Sequence, residues 1–406
     1  MNELQEEVVI TRLMERIESG NTFILKQIGK TIKEIGELTP TQARKLQQMI
    51  KYGSSYQTII ERLAKITNKN VSELDEIFNL YAKKDYQFAE KFYRYKGITY
   101  VPFNEFKALQ TQIQAFSNMT KGTYMNLVKT SVLGFTLKDT LGNARFYNIA
   151  EAYQYAVDQA LLSISQGKDT FNNQMYSLLK QFGNSGIRTI DYASGRSRRL
   201  DSAMFMNLKD ALKELHNETQ QIIGESFGAD GVEISVHENP ADDHEDIQGR
   251  QFSNEEFDKL QNGETAIDYK GISHEPIHNG KERRPIGELN CYHKIFAILL
   301  GVSEPRCTNE QLEEIKERNE KGFDFEGKHF TMYEGTQLQR RIETEIRKQK
   351  DNQILGREAD NKLLISDAQF KITQLTNRYK ELSKVSGLKT KMDRLRVSGY
   401  KRVKVW

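Results

Sequence analysis

Through most of this chain the apolar residues recur every three or four positions, and one stretch abandons that period. Ile10, Leu13, Met14 and Ile17, then Ile24, Leu25, Ile28, Ile32 and Ile35, fall on one face of a helix. Ala150, Tyr153, Val157, Ala160, Leu161 and Ile164 do the same. Leu338, Ile342 and Ile346 draw a narrower stripe later on. A helix with a narrow apolar stripe is not stable alone and needs another helix or a partner to cover it. The chain must therefore build most of its mass from helices packed together. Its 406 residues leave room for two or three domains. Only 37% of them are apolar and 28% are charged, a balance suited to elongated helical parts with much solvated surface.

Punctuation places the helices. Thr39-Pro40 is a helix start, with threonine as cap and proline at the first helical position. Asn70-Val71-Ser72 is read as opening another, with Ser72 capping and Asp75 and Glu76 in the first turn. Phe78, Tyr81, Phe88, Phe92 and Tyr95 then line a helical face, read as core or subunit contact. Helix is predicted over 103–130, 146–182 and 201–225, with a glycine- and serine-rich loop at 183–195 that ends in Arg196, Arg198 and Arg199. Residues 334–385 read as one long charge-laced helix, broken or kinked near Gly356. Gln337, Arg341, Glu345 and Lys348 lie on its polar face, and Glu343 with Glu345 is assigned to its surface rather than to a paired-carboxylate catalytic motif.

The exception to the helical period is 232–305. Residues 232–236 alternate valine and isoleucine with polar residues, the pattern of a strand, and five of the seven histidines and one of the two cysteines follow within this stretch. His237, His244, Cys291 and His293 form two short pairs on distant loops. Neutral imidazole and thiolate are the ligands zinc prefers, and four of them close a tetrahedral structural site. The competing reading is that the same side chains hydrogen-bond loop backbone with no metal. Glu238, Asp242, Asp243, Glu245 and Asp246 lie among these histidines and could hold a divalent metal for phosphodiester hydrolysis. Consecutive loop carboxylates, however, would diverge toward solvent. His274 and His278, either side of Pro276, carry less signal.

The chain ends on a third feature. Lys389, Lys391, Arg394, Arg396, Lys401, Arg402 and Lys404 face a single acid, Asp393, with Tyr400 and Trp406 interleaved. Read as a strand or extended arm, this segment suits either a nucleic-acid backbone, with salt-sensitive binding, or an acidic protein surface. The net charge of +3 favours no partner by itself. Two cysteines make no disulfide framework and point to a reducing compartment. The acidic first residues do not resemble a signal peptide, and the longest apolar run, at 295–302, is too short to span a bilayer. No glycine-rich phosphate loop, nucleophile elbow or His-Glu-x-x-His is present.

An ordered set of motifs adds a resemblance. Gly186-Ile187-Arg188 through Gly195-Arg196, Val232 to His237, Asp243-His244, Gln248-Gly249-Arg250, Phe252-Ser253, Asn290-Cys291-Tyr292-His293 and Gly301 to Pro305 stand in sequence. Tyr333, Gln337, Arg340, Glu343, Ile346, Arg347 and Lys350 follow on a helix. Together these resemble the phage minor capsid protein family of tailed phages of Gram-positive bacteria, itself distantly similar to MuF-type head morphogenesis proteins. The likeness covers 185–400; residues 1–180 share mainly their helicity. Asn239-Pro240 and Tyr292 depart from the family's usual residues. The resemblance implies a non-catalytic virion protein at the portal vertex, acting in head assembly and in DNA packaging or ejection. Its expected partners are the portal protein, the major capsid protein and packaged double-stranded DNA, with several copies per vertex and no membrane. It would lie in the host cytoplasm during assembly. The alternative is a metal-dependent nuclease or DNA-delivered effector using the His237/His244 loop.

The expected fold is α+β, predominantly α. An N-terminal helical region (1–130) and a second helical region with a basic loop (131–228) precede a loop-rich α+β MuF-like domain (229–335), a long charged helix (336–385) and a basic arm (386–406).

Overall fold

The computed structural model of the chain describes residues 3–36, 54–129, 132–138, 141–164, 168–191, 193–287, 291 and 293–403. Helices dominate and the strands form small antiparallel sheets, so the fold is α+β and predominantly α. The Thr39-Pro40 start, Tyr292 and Lys404 lie outside the described residues. Among those residues no helix is long and apolar enough to cross a membrane.

The largest core is built mainly by α1 (Glu3–Gly36), α2 (Ser54–Lys96), α3 (Lys107–Leu127), α4 (Ile149–Ile164), α5 (Lys168–Ser185) and α6 (Leu200–Phe227), with Leu355 and Leu364 added from later helices. α6 is central. Leu200, Met204, Leu208, Ala211, Leu212, Leu215, Ile223 and Phe227 are all buried, so it presents more than one apolar face and packs against α1, α2 and α3. α2 runs unbroken through 70–72. Ser72 does not cap a new helix; its hydroxyl donates to the Lys69 carbonyl at 2.9 Å, inside the helix. The apolar face beyond it holds the helix together: Leu74, Ile77, Phe78, Tyr81, Tyr86, Phe92 and Tyr93 are buried, while Phe88 and Tyr95 turn outward.

Two other expected helices are shorter than predicted. Residues 103–105 form a separate single turn before α3. The 146–182 run is a strand end followed by α4 and α5. The Asn148 side chain accepts from the Glu151 backbone N–H at 2.9 Å and the Glu151 carboxylate accepts from Asn148 N–H at 3.1 Å, a reciprocal cap that starts α4. A four-stranded antiparallel sheet also went unpredicted. Its order is β2-β1-β3-β4, from β1 (Leu133–Lys138), β2 (Ala144–Asn148), β3 (Arg188–Ile190) and β4 (Ser197–Arg199). Leu133, Phe135 and Leu137 alternate into the core, and the expected glycine-serine loop is the β3/β4 hairpin with Arg188 opposite Arg199.

The second layer is a sheet module seated on α6. β5 (Gly231–Ile234) pairs on one side with β6 (Gln251–Ser253) and on the other with β11 (Ile295–Ile298). Two-residue strands β7 (Ala266–Ile267) and β8 (Ser273–His274) form a hairpin beside helix α7 (Asn254–Gln261), and β9 (Ile277–His278) and β10 (Lys281–Glu282) form another against the turn at 242–244. Ile234, Ile247, Phe252, Phe257, Leu260, Ala266, Ile286 and Cys291 make its small core. Gly224 lets β11 approach, since a Cβ there would stand 2.8 Å from that of Ala297. His216 on α6 then donates from Nε2 to the Ile295 carbonyl at 2.8 Å, with Asp85 on its other nitrogen at 2.7 Å.

The expected long helix of 336–385 is a helical hairpin. After α8 (Asn309–Lys321), β12 (Phe323–Phe325) and β13 (Lys328–Phe330) come α9 (Met332–Glu358) and α10 (Lys362–Ser386). The break lies at Asp360, which has a positive φ of 55°, and Asn361 caps α10. Gly356 allows the close turn, since a Cβ there would lie 3.0 Å from Ile365. The two helices are joined by a buried polar ladder: Gln339 to Ser383 at 3.4 Å, Glu343 to Tyr379 at 2.8 Å, and Gln353 to Gln369 at 3.4 Å. Each step forward along α9 meets a step back along α10, the register of an antiparallel pair. Glu343 is thus buried, contrary to its expected place on the surface.

The C-terminal segment is docked rather than free, and contains no strand among its described residues. Its one regular element is a single helical turn, Met392–Leu395, with Leu395 buried beside α9 and α10. Its backbone is tied along the hairpin: the Lys389 carbonyl accepts from Gln339 at 3.0 Å, Lys391 N–H donates to Tyr379 at 2.8 Å, and Val403 N–H donates to Gln369 at 3.1 Å. The Ser398 carbonyl accepts from Thr22 on α1 at 2.8 Å.

Candidate metal centre

The antiparallel pairing of β5 and β11 brings the two halves of the histidine-cysteine set together. Ile234 lies opposite Ile295, and the ladder runs on one step as Ser235 N–H donates to the Lys294 carbonyl at 2.8 Å. Beyond that step come His237 on one strand and His293 on the other, and their rings meet edge-on with centroids 4.4 Å apart. His237 is held by its backbone N–H, which donates to the Gln248 side chain at 2.9 Å. His244 comes in from a single helical turn, Asp242–His244. Its ring centroid is 5.1 Å from that of His293.

Cys291 completes the group. Its sulfur lies 3.5 Å from His244 Nδ1 and 3.7 Å from His293 Nδ1. One ligand atom from each of His244, Cys291 and His293 falls within 4.8 Å of the others, and all three residues are buried. His237 lies beside this trio, half-buried, with its Nε2 shielded from water. The protons can be assigned in part. His244 Nε2 contacts the Arg284 carbonyl at 2.7 Å, and a carbonyl only accepts, so Nε2 is the donor. Nδ1 is then the atom turned to the thiol.

Charge follows from these contacts. Burial opposes ionisation of Cys291, but His244 and the backbone N–H groups of Gly287 and His293 outweigh it and lower the thiol pKa. Burial likewise opposes a charge on His244, yet Cys291, the Arg284 carbonyl and Asp243 raise its pKa. His293 is held well below its ordinary value by burial first, then by His237, His244 and Arg284. It is therefore a neutral imidazole, and its Nε2 has no hydrogen-bond partner among the described residues.

The acidic run diverges, as expected: Glu238 is exposed, and the other four carboxylates turn to separate partners. Asp243 takes both Arg284 nitrogens at 2.6 and 3.0 Å, Glu245 accepts from Asn319 at 3.0 Å, and Asp246 takes Arg283 at 2.8 and 2.9 Å. Asp242 pairs with Lys281. Carboxylates this engaged are scaffolding for the loop and do not converge on a common point. Arg283 and Arg284 escaped the sequence reading; their signal was a basic pair facing an acidic run. His274 is likewise fixed, by Asp246 at 2.9 Å and Asp268 at 3.5 Å, while His278 lies 3.7 Å from Asp246.

The basic residues separate into two kinds. Arg199 is buried and pairs with Asp351 at 3.0 Å, whereas Arg196 and Arg198 are exposed. On the docked arm, Lys389, Lys391, Arg396, Lys401 and Arg402 are exposed, and Arg394 is half-buried 3.9 Å from Glu343.

A family model described as phage minor capsid protein 2 matches residues 5–383. The match takes in the N-terminal helices, for which the sequence had offered only their helicity. No curated protein and no solved structure matches.

Proposed function

The chain belongs to the phage minor capsid protein 2 family, and from that premise we propose that it is placed at the portal vertex of a tailed-phage head. Membership makes it a structural protein of the virion. Portal contact, several copies per vertex and a part in packaging or ejecting the genome are the finer reading. One observation carries it: the C-terminal arm is fixed along the body by its backbone while five of its basic side chains point outward. A fixed cationic strip suits a polyanion such as double-stranded DNA, which it would bind through phosphates and with strong salt dependence. The portal and major capsid proteins would cover other surfaces.

The competing reading is a metal-dependent nuclease using His237 and His244. A hydrolytic metal needs an open coordination position beside substrate. Cys291, His244 and His293 are at most 4% exposed, and of the neighbouring carboxylates Asp243 and Asp246 are committed to arginines. That arrangement favours a closed centre without catalysis.

Mass spectrometry of density-purified particles, normalised to the portal protein, tests the proposal. A stable low-copy ratio is the expected outcome. Absence from mature particles would overturn placement in the virion head. DNA hydrolysis by the purified chain that is lost in His244→Ala would overturn the non-catalytic reading.

A further inference from the structure

We propose that His244, Cys291 and His293, joined by His237, bind one zinc ion that locks the sheet module shut. The argument rests on geometry. A tetrahedral zinc with Zn–S of about 2.3 Å and Zn–N of about 2.0–2.1 Å keeps its sulfur and nitrogen ligands roughly 3.5 Å apart. The two sulfur–nitrogen separations here are 3.5 and 3.7 Å. Both sulfur–nitrogen edges of the cluster thus already have the length a coordination tetrahedron needs, with His244 and Cys291 drawn from positions 47 residues apart.

Proton placement agrees. A ligating histidine usually donates its other N–H to a carbonyl or carboxylate, which fixes the ring and leaves a lone pair for the metal. His244 does this: Nε2 donates to the Arg284 carbonyl, and Nδ1 faces the sulfur. Arg284 is itself anchored by Asp243 at 2.6 Å, so the carbonyl is not free to drift. His293 turns the same nitrogen inward, with Nδ1 3.7 Å from the sulfur. The donor set of one sulfur and imidazole nitrogens suits zinc better than the oxygen-seeking magnesium or calcium.

His237 is the adjustable ligand. It is not within the 4.8 Å group, yet its ring already touches that of His293. A side-chain rotation completes four ligands and closes the site. The function of such a site is mechanical. It ties the end of β5, the turn of 242–244 and the approach to β11 at one point, in a module whose hydrophobic core is small.

The test uses the full-length chain purified without a metal-chelating tag. Elemental analysis should find about one zinc per chain. Cobalt(II) exchanged into the site should give the intense visible absorption of a tetrahedral centre with a thiolate-to-metal charge-transfer band. Cys291→Ser should abolish that band and the stoichiometric zinc. Cys307→Ser should change neither, since Cys307 stands outside the cluster. His237→Ala should keep the thiolate band and weaken metal retention against a chelator. If Cys291→Ser fails to fold, the wild-type cobalt spectrum still decides. Folded wild-type protein that takes up no stoichiometric zinc or cobalt, or binds cobalt without a thiolate band, would overturn the proposal.

Discussion

Two buried polar centres hold this molecule together, and they solve opposite problems. In the helical body, Arg199 joins Asp201 at 3.3 Å and Asp351 at 3.0 Å, Arg347 joins Asp201 at 2.8 Å, and Asn21 donates to Asp351 at 3.2 Å. Positive and negative groups meet there in pairs, although Arg199 Nη1 and Arg347 Nε are buried without a hydrogen-bond partner among the described residues. In the sheet module, sulfur and imidazole nitrogens converge with no lysine or arginine in the trio itself. The first centre is closed by its own charges; the second assembles lone pairs that call for a cation. A buried ion network of the first kind fails when one partner is removed, because the others are left charged and unsolvated. A lone-pair cluster fails when its central ion leaves.

The largest expected effect comes from breaking the helical centre. Arg199→Met leaves Asp201 with Arg347 as its one ion-pair partner among the described residues and Asp351 without a cation, at a cost of about 3–5 kcal/mol. Urea unfolding followed by far-ultraviolet circular dichroism should show the loss in the main helical transition. Cys291→Ser should lower the stability of the sheet module with the helical signal kept. If both variants melt the helices equally, the two centres are not separate supports and the contrast between them fails.

A smaller effect sharpens the same point. Gly186 has a positive φ of 57°, and a Cβ there would lie 2.5 Å from a guanidinium nitrogen of Arg199. Gly186→Ala therefore combines backbone strain with displacement of Arg199, for a loss of roughly 2–3 kcal/mol. Adding it to Arg199→Met should cost much less than the sum of the two, because the clash needs the arginine. Full additivity in a double-mutant cycle would detach Gly186 from the network.

Glu18 gives the helical centre a pH dependence. Burial, with Asp201 adding to it, pushes its carboxyl up to about 8 from an ordinary 4.5. Between those values the folded state keeps a proton that the unfolded chain has released. Stability from this group is therefore undiminished below about pH 4.5 and declines as pH rises toward 8. Glu18→Gln removes the titration, so the melting temperature should rise by roughly 2–4 °C at pH 8.5 and change little at pH 5. An equal shift at both pH values would show that Glu18 acts by packing and not by its proton.

The two centres also differ in how far they could be read from sequence. Histidine and cysteine are scarce, so His237, His244, Cys291 and His293 stood out as a set, and the β5 alternation hinted at how they meet. Nothing set Arg199 apart from Arg196 and Arg198, and nothing marked Asp351, because each lies in a charged run where solvent exposure is the ordinary fate. Their pairing joins a hairpin to a helix 152 residues away, a distance no local pattern encodes. The helices of the body were legible from their three-to-four spacing. Their breaks were read unevenly: Ser72, expected to cap a helix, lies inside one, whereas the break expected near Gly356 falls close by, at Asp360, with Asn361 as the cap. The difference is tertiary: α2 has a continuous apolar face to bury across Ser72, whereas α9 must turn back on α10. Leu133, Phe135 and Leu137 alternated as a strand should, but three short positions are a weak signal.

The smallest effect on stability should come from the C-terminal arm, and that is what makes it informative. Removing the arm would strip away the packing of Leu395 and the hydrogen bonds to Gln339, Tyr379 and Gln369, so a truncation confounds charge with packing. Replacing the side chains of Lys389, Lys391, Arg396, Lys401 and Arg402 by glutamine keeps the backbone ties. Each substitution at these exposed positions should cost no more than about 0.5 kcal/mol. If the arm tracks DNA, the slope of log affinity against log salt should fall by up to about 4.5, because each glutamine leaves one phosphate un-neutralised. A fixed strip should also act as a unit, with each charge contributing similarly. An unchanged slope with an unchanged melting temperature would remove DNA from the arm and leave an acidic protein surface as its partner. The buried centres would then account for the fold, and the outward charges for contact within the head.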